Sequence, residues 1–272
     1  MMYLKNILLV TRYGSDKAVD VAVKVINAIK SMLKGIEVYT VKPISIEGTN
    51  SIDENDVKSI KFDLAITIGG DGTVLRASRW LSNPTPILVV KLPTSKGILA
   101  EVTAEEIDSV IPRLLNNSYY IEKRMRLIAR VNNNTLQPAL NEVFIVRDTL
   151  TKTPTYRIRI MGEELSYRMD GLIVATPTGS TGHSLSLGGP IVYELMESII
   201  LTPLAPINHL PCIVLPYNTS IEVECNTDVN VVIDGQVVNK AKQGSVIDIA
   251  RYDHDAHFLR FEARGMKQIA SI

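Results

Sequence analysis

With two cysteines in 272 residues, the chain has too few for a disulfide framework. Cys212 and Cys225 lie in separate apolar strand-like segments and read as reduced core residues of a cytoplasmic protein, with nothing that forces a disulfide between them. Net charge is also lacking. Lys plus Arg and Asp plus Glu each total 29, so no basic excess exists to neutralise a phosphate backbone, which argues against nucleic acid as the main partner. No apolar run approaches a membrane span, so no membrane partner is expected. Met1–Asn6 is interrupted by polar residues and the next apolar run is only Ile7–Val10, so a secretion signal is not expected. Repeats and low-complexity tracts are absent, and no Gly-Lys-Ser or Gly-Lys-Thr of a Walker loop occurs at the required spacing. The four histidines lack structural-zinc spacing; Asp253-His254-Asp255-Ala256-His257 reads as a polar turn, His209 as structural, and no metal-ligating residue is assigned.

What the sequence does have is an ordinary globular composition, 46% hydrophobic and 21% charged, and a length that suits one large domain or two smaller ones. Ile7–Val10 reads as a buried strand and Gly14-Ser15-Asp16 as a turn with an N-cap. Val19, Ala22, Val23, Ile26, Ile29 and Leu33 follow at helical spacing until Gly35. Ile36–Tyr39, Leu64–Ile68 and Ile87–Val90 are further strands, while the polar stretch 41–61 carries no clear signal. Strands alternating with helices imply a parallel sheet in an α/β layer. Thr103 and Glu106 form a capping-box pattern before a helix to about Leu115. From there the pattern turns to short strands. Tyr120–Val131 is followed by a turn at Asn132-Asn133-Asn134. Val143–Val146 comes next, then a hairpin about Gly162, and then Leu172–Ala175, Cys212–Leu215, Ile221–Cys225, Val229–Ile233 and Val246–Ile249. This spacing suggests a β sandwich or similar domain, and the last segment, from Ala256, a strand and a short helix.

Thr67-Ile68-Gly69-Gly70-Asp71-Gly72-Thr73 joins a strand to a helix. Its glycines allow close backbone approach, and a helix N-terminus presents free N–H groups to a phosphate. A carboxylate in such a loop is suited to taking a proton from a hydroxyl or to holding a phosphate-bridging metal ion; as a plain structural feature it would be an N-cap. A second cluster runs from Thr176 to Gly189 with six hydroxyl residues and four glycines, fed by an apolar strand. Many small donors and acceptors at a strand end suit a nucleotide base and ribose, whereas a flexible loop is the plain alternative. Asn141-Glu142, before the Val143 strand, is a third polar spot that reads by default as an exposed strand end.

These three segments, in this order, resemble the NAD kinase family. Gly69–Thr73 is similar to its first motif, which lipid kinases and phosphofructokinases share in some form. Asn141-Glu142 is similar to the second, and Asp170-Gly171 with Thr176–Pro190 to the third. Gly97–Glu101 and Asp234-Gly235-Gln236 are similar to further family segments, and the likeness runs from Asn6 to about Phe261. The resemblance implies an α/β domain over residues 1–100 carrying the glycine loop, with residues 256–272 packing back on it, and a β-rich NAD-binding domain over 101–255. It implies transfer of a phosphoryl group from ATP or polyphosphate to the 2′-hydroxyl of the NAD adenosine ribose, giving NADP, with a divalent metal ion, Mg2+ being expected. Homodimers or homotetramers are implied too, with the NAD site partly built at the subunit interface. Residue by residue, it makes Asp71 catalytic with Gly70, Gly72 and Thr73 beside it. It assigns nucleotide contacts to Asn141, Glu142, Asp170, Thr178, Thr181, Gly182, His183, Ser186, Asp234 and Gln236. Gly182-His183 stands where the family has Ala-Tyr, and Ile98 where it has Phe. A lipid kinase with the shared first motif, or a non-catalytic NAD(P) sensor of the same fold, are the competing readings. On sequence alone, Asp71→Asn is expected to fold normally.

Overall fold

The computed structural model describes residues 4–81, 83–93, 95, 97–265 and 267–270. The chain divides into two compact units, 1–123 with 256–272, and 124–255.

In the first unit the strands are β1 (Asn6–Thr11), β2 (Glu37–Val41), β3 (Asn50–Ile52), β4 (Leu64–Gly69), β5 (Pro86–Lys91), β6 (Val102–Thr103) and β7 (Tyr120–Arg124). Helices α1 (Asp16–Met32), α2 (Asp71–Trp80) and α3 (Ile107–Leu115) connect them. Every residue of β4 is buried, the pattern of a parallel strand covered on both faces. Ser15 caps α1, its hydroxyl oxygen accepting from the Ala18 N–H. The buried stripe of α1 is Ala18, Ala22, Val25, Ile26 and Ile29. Val23, expected inside, is exposed, because it lies on the other side of the helix from that stripe.

In the second unit, β8 (Leu127–Val131), β9 (Asn134–Thr135), β10 (Glu142–Arg147), β11 (Thr155–Ile160), β12 (Glu163–Arg168) and β13 (Gly171–Ala175) precede the one-turn α4 (His183–Ser186). Then follow β14 (Ser198–Leu204), β15 (Ile213–Pro216), β16 (Ile221–Cys225), β17 (Val229–Ile233), β18 (Val237–Ala241) and β19 (Val246–Arg251). They form two antiparallel sheets, ordered β15-β14-β13-β10-β17-β18 and β12-β11-β16-β19-β8-β9. Alternate residues of both sheets, among them Val143, Leu172, Val231, Ile158, Val223 and Ile247, meet in one core. The hairpin turn at Met161-Gly162 has both residues at positive φ, +53° and +85°.

The last strand, β20 (Ala256–Arg260), returns to the first sheet and pairs in parallel with β5; α5 (Lys267–Ala270) follows. The sheet order is β3-β2-β1-β4-β5-β20-β7, with β6 also on β5.

Three expectations need correction. The boundary falls at 123/124 rather than 100/101, because α3 buries Ile107, Val110, Ile111 and Leu114 in the first core and β7 joins the first sheet. Tyr120–Val131 is two strands in two sheets, a change that period-two alternation cannot reveal. Cys225 is buried, but Cys212 precedes β15 and is only half-buried, its thiol 3.6 Å from the Gly188 carbonyl; both are free thiols. No helix among the described residues is long and apolar enough to cross a membrane.

Candidate active site

In the first unit, β4 ends at Gly69 and α2 starts at Asp71, so the loop between them is as short as a strand-to-helix turn allows. A Cβ on Gly69 would overlap the Thr73 hydroxyl, so only glycine lets the chain turn this close to its own helix. Gly70 is the N-cap and lacks a side chain to satisfy the helix's first N–H groups. Asp71 is therefore not the cap. Its carboxylate reaches away from its own helix and accepts from the Ile98 N–H at 3.0 Å and the Leu99 N–H at 3.1 Å, one on each oxygen. Burial pushes the Asp71 carboxyl above the usual range. The two N–H donors and the charges of Arg264 and Lys91 pull it partly back. The result is a fixed carboxylate, more basic than an exposed one. Thr73 is buried, its hydroxyl against Gly69, while Gly72 is exposed on the first turn.

In the second unit the polar residues converge on the start of β10. Asp234, held at φ +50° in the β17–β18 turn, accepts from the N–H groups of Leu140 (3.2 Å), Asn141 (2.8 Å) and Glu142 (3.3 Å). Its carboxylate is thus engaged in fixing the Asn141-Glu142 backbone. Thr176 ties the other side: its N–H donates to the Asn141 carbonyl at 2.8 Å and its hydroxyl to the Leu140 carbonyl at 2.6 Å. Gly179 lies so close that an added Cβ would strike the Asn141 backbone. The hydroxyl-rich segment is therefore no flexible loop. Ser180 is fully buried, accepting from the Val192 N–H at 3.1 Å, and Ser184 bonds Thr202 at 2.8 Å.

Glu142 is 2% exposed, so it is no surface strand end. Its Oε1 lies 3.3 Å from His183 Nδ1, and its Oε2 is buried with no hydrogen-bond partner among the described residues. Burial first, then the nearby Asp234 charge, push the Glu142 carboxyl up to about 7, against the pull of His183. A Cβ at Gly182 would lie 3.5 Å from Glu142 Oε2 and 3.6 Å from Asn141 Nδ2, so Gly182 borders the same spot. The His183 side chain is 55% exposed, with its ring 6.0 Å from that of Phe144. Thr178 accepts from Arg124 at 3.4 Å. Arg124 in turn makes a fully buried ion pair with Glu194 at 2.8 Å, a support that sequence gave no sign of.

The sequence-derived residues do not all gather here. Asn141, Glu142, Thr178, Thr181, Gly182, His183 and Asp234 share one neighbourhood by these contacts, with the Thr181 hydroxyl reaching back to the Thr178 carbonyl. Ser186 is exposed at the end of α4, and the buried serine of that turn is Ser184. Gln236 is exposed, its N–H donating to the Ile233 carbonyl at 2.9 Å. Asp170 precedes β13, whereas Thr176 follows it; the five intervening residues span about 17 Å. There Asp170 pairs with Arg147 at 3.1 Å. No group of three or more His, Cys, Asp or Glu side chains capable of holding a metal forms among the described residues.

Comparison with known proteins matches residues 7–119 to the ATP-NAD kinase N-terminal domain and residues 140–261 to the ATP-NAD kinase C-terminal domain. The chain is 35% identical over 263 residues to an NAD kinase of Thermococcus sibiricus, covering 94% of both chains. Against an NAD kinase of Pyrococcus abyssi the identity is 34% with 93% of both covered. Among solved structures, an NAD kinase from Archaeoglobus fulgidus in complex with ATP superposes with a TM-score of 0.79 at 27% identity, covering 98% of this chain and 99% of that one. Yeast NADH kinase complexed with NADH superposes at 0.87 with 23% identity, covering 99% and 86%, a likeness of fold.

Proposed function

The chain belongs to the NAD kinase family, and on that premise we propose that it transfers the terminal phosphoryl group of ATP to the 2′-hydroxyl of the NAD adenosine ribose, with Asp71 as the general base. The observation that carries this reading is the Asp71 carboxylate, half-buried at the start of α2 and oriented by two backbone N–H groups. A ribose hydroxyl is a weak nucleophile until its proton is taken or polarised, and a carboxylate whose basicity burial has raised suits that task. Phosphoryl transfer otherwise asks mainly for positioning and charge neutralisation. The positive end of the α2 dipole, beside a glycine N-cap that carries no side chain, suits phosphate oxygens.

Glu142, whose Oε2 has no hydrogen-bond partner among the described residues, and Asn141 beside it suit the hydroxyls and amino group of adenosine. Asp234 and Thr176 keep that pair in place. Asp170, at the far end of β13, acts in this reading on the nucleotide of a neighbouring subunit of a homodimer or homotetramer. A divalent ion, Mg2+ foremost, would travel on the substrate phosphates, because that ion keeps waters and phosphate oxygens and needs only one or two carboxylates. When bound, the ion neutralises phosphate charge. Activity in the cytoplasm fits the free thiols.

Purified protein given NAD, ATP and magnesium is expected to form NADP. If NAD binds but neither ATP nor polyphosphate yields NADP, the chain is a sensor and not a kinase. His183 supplies a second check. Its exposed ring can lie against the adenine in place of the family's Tyr, and base–aromatic stacking is worth ~1–3 kcal/mol. His183→Ala is then expected to weaken NAD binding by roughly tenfold or more. Calorimetry returning wild-type affinity would remove His183 from the site.

A further inference from the structure

The two N–H groups that hold Asp71 belong to a segment that is itself held from behind. Residues 97–101 lie between β5 and β6, and every carbonyl from Ile98 to Ala100 accepts from an arginine of the C-terminal segment. Arg264 donates to the Ile98 carbonyl through Nη2 and to the Ala100 carbonyl through Nη1 at 2.9 Å. Arg260 donates to the Leu99 carbonyl at 2.9 Å and pairs with Glu101 at 3.2 Å and Glu122 at 3.0 Å. Glu101 also accepts from the Phe261 N–H at 2.7 Å. Both arginines are buried.

One of these contacts bears directly on Asp71. The Ile98 carbonyl and the Leu99 N–H are the two ends of a single peptide unit, and in a trans peptide they point in opposite directions. Arg264 holds the oxygen end and Asp71 Oδ1 receives the hydrogen end. A guanidinium on the oxygen fixes the plane so that the N–H points at the carboxylate. It also polarises the peptide, which strengthens the second bond of the chain.

We propose that Arg264 is a positioning residue for Asp71, acting through the Ile98–Leu99 peptide, so that the C-terminal segment is part of the phosphoryl-transfer machinery. The inference rests on the reading of Asp71 as the base. Among the described residues, the charged groups facing Asp71 are Arg264 and, on β5, Lys91. Both favour the ionised carboxylate, the form a base needs. Removing the Arg264 charge therefore raises the pH at which activity appears.

The test uses full-length Arg264→Met and Arg264→Lys. Arg264→Met is expected to lower kcat by roughly tenfold to a hundredfold, the scale of small misplacements of a reacting group. KM values for NAD and ATP should stay within about twofold, since no substrate contact is lost. The acid limb of the kcat profile should move to higher pH. Arg264→Lys keeps the charge but offers no planar fork to two carbonyls, so it should restore the acid limb and only part of kcat. In an Asp71→Asn background, Arg264→Met should cost no more than about twofold, because residues acting as one unit are not additive. A folded Arg264→Met with normal kcat and an unmoved acid limb, alongside an inactive Asp71→Asn, overturns the proposal and leaves the base reading standing. So does a loss of equal size in both backgrounds. If Asp71→Asn itself keeps its turnover, the base reading falls, and this proposal with it. Should Arg264→Met fail to fold, Arg264→Lys decides, and a wild-type kcat there overturns the proposal.

Discussion

Asp71→Asn is expected to lower turnover by about 10²–10⁴, the scale of a lost general base. The two side chains match in size but not in hydrogen bonding. Each Asp71 oxygen accepts one N–H, from Ile98 at 3.0 Å and from Leu99 at 3.1 Å. Asn has one oxygen, so its NH2 must confront one of these donors. A buried donor left unsatisfied costs about 1–3 kcal/mol. Against this, the neutral amide avoids the burial penalty that pushes the Asp71 carboxyl upward. The two effects offset each other globally but not locally. The variant should melt close to wild type while the Ile98 or Leu99 amide exchanges hydrogen faster. The plain expectation from sequence, that the variant folds normally, is thereby narrowed to an expectation for the chain as a whole, with residues 97–101 loosened. Magnesium titration separates base from metal holder. A missing base lowers the rate even at saturating magnesium, whereas a missing holder raises the magnesium requirement. Near-normal turnover of Asp71→Asn would reduce the glycine loop to a structural turn.

How much of this was legible in the sequence follows from what periodicity can carry. The parallel strands β1, β4 and β5 and the helix α1 with its Ser15 cap were readable, because apolar runs and capping residues are local signals. The short β3 at Asn50–Ile52 was not; its residues are half-buried or exposed. β14 carries Pro203, which demotes a run as a strand, and β18 is an edge strand with Val238 exposed. At the site, Asp71 stood out as a residue type and Asn141-Glu142 only through the family resemblance, and the partners of none of them were legible. Asp71 is held by backbone N–H groups 27 and 28 residues away, which no side-chain pattern encodes. Asp234 drew attention only because Asp234-Gly235-Gln236 is similar to a family segment. Its three backbone donors make it the support of Asn141-Glu142, where resemblance alone suggested a direct nucleotide contact.

Glu142→Gln is expected to stabilise the protein at pH 8 and to do little near pH 5. Among the described residues, Glu142 has one partner, His183, for one of its oxygens, and its other oxygen is buried without one. Burial and the Asp234 charge raise its carboxyl from 4.5 to about 7. Between those values the folded chain binds more protons at this group than the unfolded chain does. Stability therefore falls as pH rises through that window. The favourable part is fully present below the unfolded value and gone above about 7, a difference of about 3 kcal/mol at 1.36 kcal/mol per unit. Gln has no charge to bury and keeps an acceptor for His183, so its stability lacks this slope. The gap between variant and wild type should open with pH and level off above neutrality. Thermal unfolding of both proteins at pH 5 and pH 8 measures it, and an equal gap at both values would show that Glu142 bears no such burden. A carboxylate retained at that cost is one kept for a ligand. NAD affinity of Glu142→Gln at pH 8 should accordingly fall even as the variant melts higher. A variant both more stable and wild-type in NAD binding would take Glu142 out of the site.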